Sequence, residues 1–188
     1  MRIISGSFKG KKILEPKDNN TRPLKDLTKE SIFNIILHSK KFNLDIENSK
    51  ILDLFSGVGS FGLECISRGT KKVFFVENYF GVLPILKKNL ASLKGVTNFE
   101  IIEIDINKEN IKLFLKDKFD IIFMDPPYKN KNLEELLIEI QNSKLLNKNG
   151  IIILHRHKSE KDNFPPNFKI IEEKKYGISK IFFTTYLN

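Results

Sequence analysis

Asp125-Pro126-Pro127-Tyr128 follows directly on an apolar run, Phe119-Asp120-Ile121-Ile122-Phe123-Met124. The run is short, β-branched and aromatic, which predicts a buried strand rather than a helix. It stops at two prolines, which cannot donate hydrogen bonds to a central ladder. A carboxylate, free backbone carbonyls and an aromatic ring are therefore offered at the carboxyl end of a strand, where open α/β sheets bind ligands. Such a set, almost all acceptors plus one stacking face, suits a flat ring carrying an exocyclic amine. The plainer alternative is a strand-ending turn with a solvated aspartate.

A second constellation lies upstream. Lys50 to Phe55 reads as a strand, Ser56-Gly57-Val58-Gly59-Ser60-Phe61-Gly62 follows, and Leu63 to Arg68 is helical in pattern. Gly57, Gly59 and Gly62 form G-x-G-x-x-G between strand and helix, where a backbone must turn tightly and admit a ligand closely. The next strand, Lys72 to Val76, ends at Glu77, which can accept from both hydroxyls of an adenosine ribose. Glycines and Glu77 alone would serve a nicotinamide dinucleotide equally well. Asp53 separates the two cases: beside the helix N-terminus that would cradle a pyrophosphate, a carboxylate repels phosphate and attracts a cation. S-adenosylmethionine meets all three conditions, with an adenosine for Glu77, an ammonium near Asp53 and no phosphate. Asp53, Phe55, Ser56, Gly57 and Gly59 are then expected around its methionine part. Asn78, Asp105 and Ile106 are expected around the adenine, although Asp105 could instead cap a helix starting near Lys108.

These motifs occur in an order that resembles a known family. Met1-Arg2-Ile3-Ile4-Ser5-Gly6 with Gly10-Lys11-Lys12-Ile13 looks like that family's N-terminal hairpin, and Thr21-Arg22-Pro23-Leu24 followed by Lys29-Glu30-Ser31-Ile32-Phe33-Asn34 resembles its R-P-T…R-E-x-L-F-N segment. Asp53 to Gly62 and Asp125 to Tyr128 resemble its cofactor and acceptor motifs. The family is the RsmD-type 16S ribosomal RNA guanine-N2 methyltransferases. The resemblance implies a Rossmann-like methyltransferase fold, S-adenosylmethionine as cofactor, and Asp125, Pro126, Pro127 and Tyr128 as the residues that receive the base amine. It also implies ribosomal RNA as partner, within an assembling small subunit or free. Leu24 and Lys29 depart from the Thr and Arg frequent at their positions, and His155-Arg156-His157 ends a strand where Glu is frequent. Adenine-N6 enzymes carry the same acceptor motif, so guanine N2 rests on the resemblance. A nicotinamide oxidoreductase would leave Asp53 and Asp125 to Tyr128 without roles, and a non-catalytic RNA-binding protein would leave the acceptor motif without one.

The formal net charge is +9, carried mostly by lysine, which favours a polyanionic partner. Arg2, Lys9, Lys11 and Lys12 have no acidic neighbour in sequence before Glu15, so Met1 to Leu14 reads as a basic hairpin arm projecting from the main domain. Together with Arg22, these are the expected RNA contacts. Lysines interrupt the N-terminal region, so no signal-peptide core is expected there, and no run approaches the roughly twenty apolar residues of a membrane span. Cys65 is the single cysteine and reads as a small core residue, consistent with a reducing cytoplasm. A monomer is expected. No metal is expected, since His155 and His157 point to opposite faces of one strand.

From Lys25 the chain is expected to begin with a helix over Lys25 to Ser39. Strands at 50–55, 72–77, 99–104, 119–124 and 150–155 then alternate with helices at 60–68, 79–94, 108–116 and 132–142. This alternation predicts a parallel sheet covered on both faces. Phe168 to Lys175 and Ile178 to Tyr186, separated by Tyr176-Gly177, predict a terminal hairpin. The expected architecture is an α/β Rossmann-like fold with a seven-stranded, mainly parallel sheet, one antiparallel strand and helices on both faces. Residues 1–23 are expected to form an arm and linker, and 24–188 the S-adenosylmethionine-dependent methyltransferase domain. Pro84 would fall in the first turn of its helix if that helix starts near Leu83.

Overall fold

In the computed structural model, which describes residues 1–16, 24–127 and 133–187, the apolar runs form one seven-stranded sheet. Its strands are β1 (Lys50–Leu54), β2 (Lys72–Val76), β3 (Phe99–Ile102), β4 (Phe119–Met124), β5 (Leu146–His157), β6 (Phe168–Tyr176) and β7 (Ser179–Tyr186), in the order β3-β2-β1-β4-β5-β7-β6. Only β7 runs antiparallel to its neighbours, β5 and β6. This is the mainly parallel sheet that the alternating pattern implies.

Parity decides which side chain faces which layer, because successive residues of a strand point to opposite faces. Ile51, Val73, Phe75, Ile121, Phe123, Ile151 and Ile153 belong to one apolar layer, and Leu52, Leu54, Phe74, Val76, Ile122, Met124, Ile152 and Leu154 to the other. Helices α1 (Asp26–His38), α2 (Ser60–Ser67) and α3 (Leu83–Ser92) cover the first layer. Helices α4 (Ile111–Phe114) and α5 (Leu133–Asn142) cover the second. Strand β1 lies between β2 and β4, so the chain order reverses there and a crevice opens beyond the strand ends. Among the described residues no helix is long and apolar enough to cross a membrane.

Several elements are shorter or longer than the sequence suggests, for local reasons. Helix α3 begins only at Leu83, with Pro84 in its first turn, where a missing N–H costs nothing. The expected helix 108–116 is one turn, opened by Asn110, whose side chain accepts from the Lys112 amide at 3.0 Å. The fifth strand starts earlier than residue 150, and Asn149-Gly150 is a bulge inside it: the pairing passes from Phe119↔Leu146 to Ile121↔Ile151, and Asn149 has φ +72°. In the last hairpin Tyr176 pairs with Ser179, so the turn is Gly177-Ile178.

The N-terminal arm does not project. Arg2 and Lys12 pair as an antiparallel bridge, but Ile3 and Ile13 are buried in the same apolar layer as α1, α2 and the sheet. The carboxylate of Glu64 in α2 collects the arm: it accepts from the amides of Ile4 at 2.7 Å and Ser5 at 2.9 Å, from Arg68 Nε at 2.9 Å, and faces the Lys29 ammonium at 3.4 Å. Lys29 and Glu64 are both fully buried, and Lys29 also donates to the Arg2 carbonyl. Burial pushes the Lys29 ammonium below its ordinary range, and Glu64 opposes that shift. Gly6 permits the close approach: with φ +79°, a Cβ there would stand 1.8 Å from the Ser67 carbonyl oxygen.

Removing one partner of a buried, hydrogen-bonded ion pair leaves the other uncompensated, typically at about 3–5 kcal/mol. Glu64→Ala should therefore lower unfolding stability in urea by about that amount. A loss below about 1 kcal/mol, the scale of an exposed pair, would contradict this account of the arm.

Candidate active site

The parallel register brings four side chains to one level. Leu54 is in register with Val76 and with Met124, and Met124 with Leu154. The residues that follow, Phe55, Glu77, Asp125 and His155, therefore form a row across β1, β2, β4 and β5; Phe55 packs against the second layer, while Glu77, Asp125 and His155 lie on the face that α1 to α3 cover. Asp53 lies two residues earlier on that face. This row opens on a cavity of about 760 Å³, within the usual range for a small-molecule site.

At one end, the Glu77 carboxylate organises the glycine loop. It accepts from the amide of Gly57 at 2.6 Å and from those of Asn78 and Tyr79 at 2.9 Å each. Ser56 donates its amide and hydroxyl to the Val76 carbonyl, at 3.0 and 3.2 Å. Gly57 has φ +55° and open space where a Cβ would lie, so the backbone is bare towards the cavity. Phe55, with φ +61°, is an aromatic residue in the left-handed region, a conformation rare enough to mark a functional strand end.

Gly59, expected to flank the ligand, faces the other way. A Cβ there would meet the Leu86 side chain at 2.6 Å, and the residue stands outside the cavity wall, starting α2 at φ +85°. Gly62 lets α2 approach the Phe75 ring, 2.2 Å from a notional Cβ. Only Gly57 of the three glycines lines the cavity.

Asp53 is buried beneath the loop and accepts from the Gly62 amide at 3.0 Å. Burial raises its carboxyl well above the ordinary carboxylate range, and the charges of Asp125 and Glu77 add to that rise, against the Gly62 hydrogen bond. Asp105 and Ile106 also line the cavity. The Asp105 carboxylate is bonded within its own turn, to the Asn107 amide at 3.1 Å and the Lys108 ammonium at 3.1 Å; desolvation opposes these contacts, but they hold its carboxyl below the usual value. Asp105 thus closes a turn of its own rather than capping α4, whose cap is Asn110, and it stays on the wall.

At the other end stand Asp125, Pro126 and Pro127. Tyr128 and Arg22 lie outside the described residues. The floor between the two ends is aromatic: Phe61 stacks on Phe123 with centroids 4.0 Å apart, and both line the cavity. Linear spacing did not point to a wall contributed by distant segments: Pro16 just after the arm, Leu24, Lys25 and Thr28 around the start of α1, and Ile178 and Ser179 at the last hairpin. Nor did it reveal that His155 contacts Asp125 at 2.9 Å. His157 turns away to Ser159. Of the basic arm residues, Arg2, Lys9 and Lys12 are exposed, Arg2 lies 3.8 Å from Asp26, and the Lys11 ammonium is tied to the Ser92 carbonyl. The arm also reaches the glycine loop: Asn89 of α3 accepts from the Leu14 amide and donates to the carbonyls of Leu14 and Val58.

A ligand here meets Asp53, Glu77, Asp105 and Asp125 and a bare Gly57 backbone. That set suits a cation with ribose hydroxyls and disfavours a pyrophosphate. Comparisons with known proteins agree. A family model described as conserved hypothetical protein 95 matches residues 1–185. The ribosomal RNA small subunit methyltransferase D of Haemophilus influenzae is 34% identical over 183 residues, covering 95% of this chain and 90% of that protein. Its Escherichia coli counterpart is 30% identical over 184 residues, covering 94% and 85%. The chain belongs to the RsmD-type methyltransferase family. The solved Escherichia coli methyltransferase yhhF has the same fold, with TM-score 0.79, 27% identity and coverage of 99% of this chain and 97% of that one. S-adenosylmethionine is the cofactor, and the acidic cavity fits its two positive charges.

A cation beside Asp53 favours the ionised carboxyl, whereas burial by itself holds the proton to higher pH than in an ordinary aspartate. Binding should therefore release a proton, and affinity should rise with pH through the raised Asp53 titration. Calorimetry in two buffers of different ionisation enthalpy, under mildly acidic conditions, measures that proton. The apparent enthalpies should differ in the wild type and differ less in Asp53→Asn; equal enthalpies in the wild type would contradict the charge assignment.

Proposed function

We propose that this chain methylates the exocyclic amine of a base in ribosomal RNA, namely N2 of a guanine in small-subunit 16S RNA. The observation that carries the reading is the acceptor motif Asp125-Pro126-Pro127 at the same level as Glu77 and in the same cavity as the cofactor loop. The names of the relatives, small-subunit ribosomal RNA methyltransferases, support the substrate class.

Bound S-adenosylmethionine supplies an electrophilic methyl group on a sulfonium. Everything else falls to side chains and backbone. Glu77 takes the ribose hydroxyls, Asn78 and Asp105 border the adenine with Ile106, and Asp53, Phe55, Ser56 and Gly57 surround the methionine part. An arylamine lone pair is delocalised into its ring and is a poor nucleophile. Asp125 and the Pro126 carbonyl each accept one N–H, which turns the lone pair towards the methyl group and stabilises the positive charge that develops on nitrogen. Tyr128 stacks on the base. Orientation of this kind supplies up to roughly 7–11 kcal/mol of barrier lowering. A paired base cannot enter such a cavity, so the nucleotide is unpaired or flipped. The exposed Arg2, Lys9 and Lys12 with Arg22 contact phosphates, from an arm that is part of the fold. The enzyme acts as a monomer in the cytoplasm, where small subunits assemble.

The direct test is nucleoside analysis of small-subunit RNA, free and in partly assembled particles, after incubation with labelled S-adenosylmethionine. Label in N2-methylguanosine is expected; label in N6-methyladenosine, or none, would contradict the reading. Two substitutions separate the roles at the ends of the row. Asp125→Ala should reduce turnover on the order of 100–1,000-fold with cofactor affinity changed only a few fold. Glu77→Ala should weaken cofactor binding first, since it removes two charge-assisted bonds of roughly 1.5–3 kcal/mol each. Near-normal turnover in the first, or an unchanged dissociation constant in the second, would refute the corresponding assignment.

A further inference from the structure

His155 sits beside Asp125 because β4 and β5 are in parallel register, with Met124 opposite Leu154. Its Nδ1 lies 2.9 Å from Asp125 Oδ1, and its Nε2 lies 2.9 Å from Ser179 Oγ on β7. The imidazole is buried and lines the cavity. Both ring nitrogens are thus committed, and the neutral tautomer that satisfies both contacts donates from Nδ1 to the carboxylate and accepts at Nε2 from the serine hydroxyl.

We propose that His155 is a positioning residue for methyl transfer: held by Ser179, it fixes one oxygen of Asp125 and leaves the other for the substrate amine, and it does so productively when neutral. The proposal rests on the reading of Asp125 as the amine acceptor. In the transfer itself the new N–C bond forms as the C–S bond breaks, sulfur keeps the electron pair, and the amine proton passes to the free oxygen of Asp125 and then to water. A cationic His155 would neutralise the carboxylate that must meet the developing positive charge, so turnover requires its deprotonation.

The surroundings set where that occurs. Burial disfavours the imidazolium, but the charge and hydrogen bond of Asp125 outweigh it, Arg156 opposes them, and the net value lies above the ordinary 6.5. Arg156 is itself paired with Asp162 at 2.7 Å and Glu160 at 3.5 Å, and Lys180 with Asp162 at 3.3 Å. Asp53 and Lys25 face the same cavity.

Two measurements test the proposal. By NMR, the imidazole signal assigned by its loss in His155→Asn should titrate above 6.5 in the wild type and shift down in Asp125→Asn. This arm needs no RNA, so it stands apart from the substrate assignment. In single-turnover methyl transfer, the wild-type rate should rise with pH through that same titration. His155→Asn, which keeps a donor near the carboxylate but cannot titrate, should lose that pH limb while retaining most of the high-pH rate. His155→Ala should fall on the order of 100-fold in kcat, with cofactor affinity within a few fold. A titration unmoved by Asp125→Asn, or an unchanged pH limb in His155→Asn, would overturn the proposal.

Discussion

The carboxylates of Asp53, Glu77 and Asp125 stand at or near the ends of three adjacent parallel strands, and their mutual repulsion constrains everything around them. Parallel pairing brings equivalent residues of neighbouring strands to one level, and alternation sends them to one face. The same geometry that makes a cofactor crevice also crowds like charge into it. Each carboxylate is answered locally: Glu77 by three backbone amides, Asp53 by the amide at the start of α2, and Asp125 by the imidazole of His155. The compensation is incomplete: burial first, and then the charges of Asp125 and Glu77, drive Asp53 towards its protonated form. A cationic cofactor completes it. The same arrangement that suits the charges of S-adenosylmethionine disfavours a pyrophosphate.

A second buried carboxylate, Glu64, holds the scaffold in place behind that row. It ties the arm, α1 and α2 into one unit through backbone amides and the buried Lys29. Asn89 then links the arm to the carbonyl of Val58 in the cofactor loop. The arm is therefore not an appendage that could be removed without consequence. Its exposed cations and the glycine loop are thus tied to one support through Asn89.

The sheet was legible because its strands are short apolar runs whose alternation is local. Gly57, Glu77, Asp53 and Asp125 were legible because strand-end position and residue type suffice to place them. What escaped notice depends on contacts between residues far apart in the chain. Gly59 carries the same motif signature as Gly57, yet only its packing against Leu86 shows that it serves the helix. Parity places His155 on a face, but its pairing with Asp125 depends on the β4–β5 register, which a bulge at Asn149 resets. The basic arm reads as detached because Arg2, Lys9, Lys11 and Lys12 have no acidic neighbour before Glu15, while the two residues that bury it, Ile3 and Ile13, are unremarkable in sequence.

The central claim is a division of labour along one row of strand ends, with ribose at Glu77, the methionine ammonium by Asp53 and the reacting amine at Asp125. A crystal structure of the chain with S-adenosylhomocysteine bound tests it most directly. The account predicts ribose hydroxyls on the Glu77 carboxylate, the amino group on the Asp53 side of the glycine loop, and the sulfur facing Asp125 and Pro126. A ligand lying in the reverse sense, or with its ribose away from Glu77, would contradict it.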